Sequence, residues 1–194
     1  MEAWARKNTR FIIEPVVGVL ARLGVTPNAL TVAGFAINVL AGVLIGLNQL
    51  LLGGLVMVVV AMPLDALDGS LARATGKQTR FGAFFDSVLD RFAEAALLVG
   101  LAAYFMQQGD LLSALVAFAA MVGSFMVSYT RARAEGLGLE CKVGLFSRLG
   151  RVILMAAGLI LNLPVIMVWL LAVLSLATAI QRIVHVYRTA ASLA

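Results

Sequence analysis

Residues 65–90, DALDGSLARATGKQTRFGAFFDSVLD, set Asp65, Asp68, Asp86 and Asp90 inside two apolar runs that otherwise have the composition of lipid-facing helix. An unpaired carboxylate is costly to bury, and an acidic residue within a membrane helix is by default a candidate functional group. The spacing gives the four a common purpose. Asp65 and Asp68 are three apart and Asp86 and Asp90 four apart, and both spacings keep a pair on one helix face. Folding the stretch as a helical hairpin about Thr75-Gly76-Lys77-Gln78 sets Asp68 level with Asp86. Asp65 and Asp90 then lie about one turn deeper, and Asp68 about 7 Å below Arg73. Like charges that close need a neutralising partner. Oxygen-ligated divalent cations supply it, and Mg²⁺ commonly shares its shell with substrate phosphate.

The rest of the chain suits a bilayer. Of 194 residues, 62% are hydrophobic and 13% charged, and the mean hydropathy is +1.00. That excludes an ordinary soluble domain and points to an all-α integral membrane protein. Residues 1–22 interleave Trp4, Phe11, Ile12, Ile13, Val16, Val17 and Leu20 with Arg6, Lys7, Arg10 and Arg22, which suits an amphipathic helix on the membrane surface. Six spans are expected, near 27–47, 51–73, 80–106, 111–134, 145–161 and 165–187, each close to the ~20 residues that cross a bilayer. Pro27 sits at a plausible first turn. The reading is one domain over 1–194, with an interfacial helix at 1–22 and a six-helix core at 23–194. Glu14 and Pro15 interrupt the first apolar run, so no signal peptide is read. Cys141 is the single cysteine, which excludes an internal disulfide.

All fifteen Lys and Arg fall on one side of that topology. The positive-inside rule makes that side cytoplasmic, with both termini and the aspartates facing it, in the cell's cytoplasmic membrane. The net charge of +5 therefore needs no nucleic acid to explain it. Arginine is the preferred bidentate ligand of phosphate. Gly69 beside Asp68 and Gly82 one turn before Asp86 leave room for close backbone approach. A divalent site beside arginines at the lipid edge suits a lipid pyrophosphate, with one carboxylate as base for an incoming hydroxyl.

The order Asp65-x2-Asp68-Gly69-x2-Ala72-Arg73-x8-Gly82-x3-Asp86-x3-Asp90 resembles the signature of the CDP-alcohol phosphotransferases at every specified position. The resemblance implies six spans, an amphipathic N-terminal helix and attack by an alcohol on the β-phosphate of a CDP-linked lipid, with CMP leaving. It implies that Asp65, Asp68 and Asp86 are metal ligands, and that Asp90 is the general base close to metal. Two Mg²⁺ or Mn²⁺ ions are the expected cofactors. Asn28 and Thr31 of the TPNALT segment, with Asp65, Asp68, Gly69, Arg73 and Thr79, fall where the family contacts the CDP-lipid.

Residues 128–135, SYTRARAE, with Arg148 and Arg151 in FSRLGRVI and Gln181-Arg182, resemble the phosphatidylinositol-phosphate synthase branch of that family. This implies an acceptor-phosphate pocket of Ser128, Arg131, Arg133, Arg151 and Arg182. The expected partners are CDP-diacylglycerol or CDP-archaeol and inositol 1-phosphate. Glycerol 3-phosphate, giving phosphatidylglycerophosphate, is the alternative acceptor. A cation transporter using the aspartates is the alternative from another class, although transport sites lie nearer the midplane.

Blander readings stand beside these. The aspartates could form a structural network with Arg73, Arg91, Arg131 and Arg133. Arg151 and Arg182 could snorkel from helix ends, and Ser128 could bond its own helix backbone. Trp4 and Trp169 read as interface anchors. Gly34, Gly42 and Gly46 are spaced for close helix approach, either within the chain or across the seam of an expected homodimer.

Overall fold

The computed structural model describes residues 14–192. Trp4, Arg6, Lys7, Arg10 and the first half of the expected interfacial helix lie outside the described residues. Helix α1 covers 14–22. It is followed by α2 (Pro27–Gly46), α3 (Leu50–Val56), a π-helical turn (Met57–Ala61) and α4 (Met62–Ala74). Then come α5 (Arg80–Gln107), α6 (Leu111–Gly136), α7 (Arg148–Ile160) and α8 (Pro164–Ala191). No strand occurs among the described residues.

Local chemistry marks the boundaries. Thr26 caps α2 ahead of Pro27, and the Thr79 and Ser147 side chains accept backbone N–H groups at the starts of α5 and α7. Asp110 accepts from Ser113 at the start of α6, which holds its carboxyl below the usual range. Asn48 and Asn162 take left-handed backbone conformations in the turns before α3 and α8.

From Leu50 to Ala74 the chain is one continuous helix with a widened turn in it. Pro63 has no N–H to offer the Val59 carbonyl, and its ring would press on it. The π-type turn, where Met62 N–H reaches back to Met57 O, takes up that conflict just before Asp65.

Among the described residues, four helices are long and apolar enough to cross a membrane: Pro27–Gly46, Leu50–Ala74, Leu111–Gly136 and Pro164–Ala191. The chain is thus a multi-pass membrane protein. The other two expected spans differ for separate reasons. Helix α5 is long enough, but Arg80, Asp86, Asp90, Arg91 and Glu94 crowd its first half. Helix α7, at 13 residues, reaches only about 20 Å.

Helix α2 packs on α5, α6 packs on both α5 and α8, and α7 on α3 and α8. The core, with Ile45, Leu101, Phe105, Ala117, Met167 and Leu171, fills the half of the bundle away from the aspartates. Val17 of α1 is buried against Leu30 and Leu71, while Val16 and Val19 stay exposed. Large apolar side chains such as Val43, Leu51, Val59, Leu112 and Val173 face outward, as a bilayer requires.

The glycines of α2 settle one open alternative. A Cβ on Gly100 would lie 2.0 Å from Gly42 O, and one on Gly42 2.4 Å from Ala96 O. Gly46 also faces Gly100, and Gly34 faces Leu64. Gly42 and Gly46 therefore serve an intramolecular seam, in which the backbones of α2 and α5 touch.

Candidate active site

The turn between α4 and α5 brings their aspartates together. One oxygen from each of Asp65, Asp86 and Asp90 lies within 4.8 Å of the others. Asp68 adjoins that group without belonging to it. Thr31 Oγ1 donates to Asp68 Oδ2 at 2.8 Å, and the Gly69 N–H donates to Oδ1. Both its oxygens are thus satisfied by α2 and by its own backbone, and Asp68 is 7% exposed. Spacing alone places four carboxylates in one slab. The Thr31 hydroxyl on α2 adds a hydrogen bond to the fourth, Asp68.

Two arginines balance the cluster. Arg148 Nη2 donates to Asp65 Oδ1 at 2.9 Å and also to Asp90 Oδ1. Arg91 Nη2 lies 3.4 Å from Asp90 Oδ2. Of the network partners expected from sequence, Arg73 instead donates to Ser70, and Arg131 pairs with Glu135. Asp86 Oδ1 is buried and receives no hydrogen bond. An orphaned carboxylate oxygen beside two others fits a hard cation. With bonds of about 2.1 Å, opposite oxygens around Mg²⁺ stand about 4.2 Å apart, close to the span of this group.

A cavity of 590 Å³ opens from the cluster between α2, α4, α5 and α7. Thr31, Asp65, Asp68, Asp90 and Glu94 line it together with Arg131, Arg148 and Arg151. Arg151 is 2% exposed. Its Nε donates to Glu94 Oε1 at 2.7 Å, and its Nη2 lies 3.3 Å from Glu94 Oε2. Arg91 Nη1 donates to Ser128 Oγ at 2.9 Å, which ties α5 to α6.

The residues expected at the CDP-lipid form two corners. Asn28, Thr79 and Gly82 meet in one: a Cβ on Gly82 would lie 3.0 Å from Thr79 Oγ1 and 3.4 Å from Asn28 Oδ1. Arg73 lies over Gly69 in the other, with Nη1 at 3.3 Å from where a Cβ would be.

The expected acceptor set is divided. Arg131 and Arg151 line the cavity, and Ser128 is held beside it by Arg91. Arg133 is exposed in the last turn of α6 and is not among the lining residues. Arg182 is also outside the lining. Its Nε donates to Val143 O at 2.9 Å and its Nη1 to Val127 O, so its guanidinium is committed to backbone carbonyls. Phe146 N–H donates to Thr178 and Leu145 N–H to Gln181. Arg182 thus belongs to a row on α8 that fastens the loop before α7.

Sequence reasoning missed two members of the site. Glu94 follows Asp90 by four residues and so shares its helix face, a signal that was available. The place of Arg148 over the aspartates depends on a contact across 83 residues and left no local trace.

Residues 24–181 match the family described as CDP-alcohol phosphatidyltransferase. The chain is 43% identical to an archaetidylinositol phosphate synthase from Pyrococcus horikoshii, over 88% of each chain. It is 38% identical to a phosphatidylinositol phosphate synthase from Mycobacteroides abscessus, covering 95% of this chain and 87% of that one. Its fold is similar to the crystal structure of Mycobacterium tuberculosis phosphatidylinositol phosphate synthase with CDP-DAG bound. The TM-score there is 0.85 at 31% identity, over 91% of this chain and 94% of the other. The same enzyme in complex with manganese and citrate gives a TM-score of 0.83 at 31% identity, over 89% and 88%.

Proposed function

The chain belongs to the CDP-alcohol phosphatidyltransferase family, and we propose that it transfers the phosphatidyl or archaetidyl group of a CDP-linked lipid to a hydroxyl of inositol 1-phosphate. One observation carries this: a three-carboxylate group, whose Asp65 and Asp90 line a cavity that Arg131, Arg148 and Arg151 also line, includes a buried Asp86 oxygen with no hydrogen bond among the described residues. The names of its relatives favour inositol phosphate over glycerol 3-phosphate as acceptor. A cation path would have to continue through the half of the bundle filled by Leu98, Leu101, Phe105 and Met167.

In this reading the hydroxyl oxygen of the acceptor bonds to the β-phosphorus of the CDP-lipid. The bond from that phosphorus to the CMP oxygen breaks, and CMP leaves with the electron pair. Asp90, at the cavity wall, takes the hydroxyl proton. Asp65, Asp68, Asp86 and Asp90 would hold two Mg²⁺ or Mn²⁺ ions, which would offset charge on the pyrophosphate and leaving group. Arg73, Gly69, Thr31, Asn28 and Thr79 bind the CDP end of the lipid. Arg131 and Arg151 take the acceptor phosphate, with Ser128 close behind.

The same reading gives six crossings, with α5 and the loop-plus-α7 segment as the third and fifth. Helix α1 lies at the membrane interface on a single-domain core that works as a homodimer. The site faces the cytoplasm, where the arginines and lysines collect.

An acceptor panel tests it. Purified protein with radiolabelled CDP-diacylglycerol and Mg²⁺ should release CMP and form labelled lipid phosphate with inositol 1-phosphate. Inositol, glycerol 3-phosphate and serine should give little. Preferred use of glycerol 3-phosphate would overturn the acceptor, and CMP release without any acceptor would overturn the transfer.

A further inference from the structure

Glu94 has no part in the reaction as described, yet it stands where three helices meet at the cavity wall. Its own helix, α5, also carries Asp90 and Arg91. It grips Arg151 of α7 side-on with both oxygens. Its Oε2 is also 3.8 Å from Arg91 Nε, and Arg91 in turn holds Ser128 of α6 and touches Asp90. A guanidinium carries five N–H donors in a rigid fork. Glu94 occupies the Nε and Nη2 side of Arg151. Arg151 Nη1 makes no hydrogen bond among the described residues, and the residue lines the cavity.

We propose that Glu94 is a positioning residue for the acceptor-phosphate pocket: it fixes the guanidinium of Arg151 with one end turned to the cavity, and holds Arg91 against Ser128. The proposal rests on the acceptor reading above. Arg151 is almost fully buried, so without its counter-ion it would turn toward Asp65, Asp68 or Asp90, the other carboxylates on the cavity wall. The pocket would lose its cation and the aspartate group would gain a competitor. A pair serving stability alone would affect both substrates alike.

The test uses the full chain in detergent, with inositol 1-phosphate and CDP-diacylglycerol varied separately. Glu94→Gln should raise the KM for inositol 1-phosphate by about tenfold or more and shift that for the CDP-lipid by less than about twofold. Glu94→Asp, which keeps the charge, should recover part of the loss. In an Arg151→Ala background, Glu94→Gln should add less than about twofold to the acceptor KM, because Glu94 acts through Arg151. An unchanged acceptor KM in an active Glu94→Gln enzyme overturns the proposal and leaves the acceptor reading intact. Equal losses for both substrates, or full multiplication of the two variants' effects, also overturn it. Should Glu94→Gln not fold, Glu94→Asp decides by the same selective rise in acceptor KM. A wild-type enzyme inactive with inositol 1-phosphate refutes the acceptor reading itself and this inference with it.

Discussion

Asp90 is the residue on which the chemistry converges, and its neighbours explain both its promise and its restraint. One oxygen accepts from Arg148 and the other faces Arg91. Asp90→Asn keeps the shape and removes the base. Turnover should fall by at least about 100-fold while binding of CDP-diacylglycerol, read by equilibrium dialysis, survives. An active Asp90→Asn enzyme would move the base elsewhere. Arg148 supplies positive charge at the place a cation would take. Arg148→Gln should therefore tighten Mn²⁺ binding, seen as loss of the free Mn²⁺ EPR signal at lower protein concentration. Unchanged or weaker binding would show that the arginine does not compete. The aspartates were legible in the sequence because charge is conspicuous in an apolar run. Arg148 was not legible as their partner, because one arginine among fifteen basic residues carries no mark of what it touches.

The helices show a similar division. The glycines of α2 could be read as a close-packing stripe, but their partner could not. Contact between Gly42 and Gly100 joins α2 to α5, the helices that bring Thr31 and Asp90 to the cavity. Gly100→Ala would drive a Cβ into the Gly42 carbonyl, so it should cost about 1–3 kcal/mol and lower the Tm in detergent. A Tm within error of wild type would mean that the seam yields. Helix α8 acts through the loop it fastens. The Thr178 side chain, fully buried, accepts from Phe146 N–H and donates to Leu174 O. Thr178→Val keeps the volume and strands that N–H, at a cost of about 1–3 kcal/mol. The loop ends at Ser147 and Arg148, so kcat should fall with the Tm. Full activity at a lowered Tm would separate the strap from the site. The π turn before Asp65 was not expected from sequence, although Pro63 was its visible cause.

Among the described residues, most charged side chains gather at the end of the bundle that holds the aspartates, and the packed apolar core fills the other. The proposed six crossings would place Lys77 and Gln108 on opposite sides of the bilayer. In a Cys141→Ala background, cysteine at position 77 should react with a membrane-impermeant maleimide only in inverted vesicles, and cysteine at 108 only in intact cells. Labelling of both from one side would remove a crossing. Composition and the carboxylate spacing by themselves determined that the chain is a helical membrane protein with an acidic site, since lipid admits closed backbone hydrogen bonding and tolerates few unpaired charges. Only tertiary structure decided which carboxylates share an ion-sized space, which arginines line the cavity and which are committed to backbone carbonyls. Those outcomes depend on where a hydroxyl, a guanidinium or a missing Cβ on another helix comes to rest, and no local pattern encodes that distance.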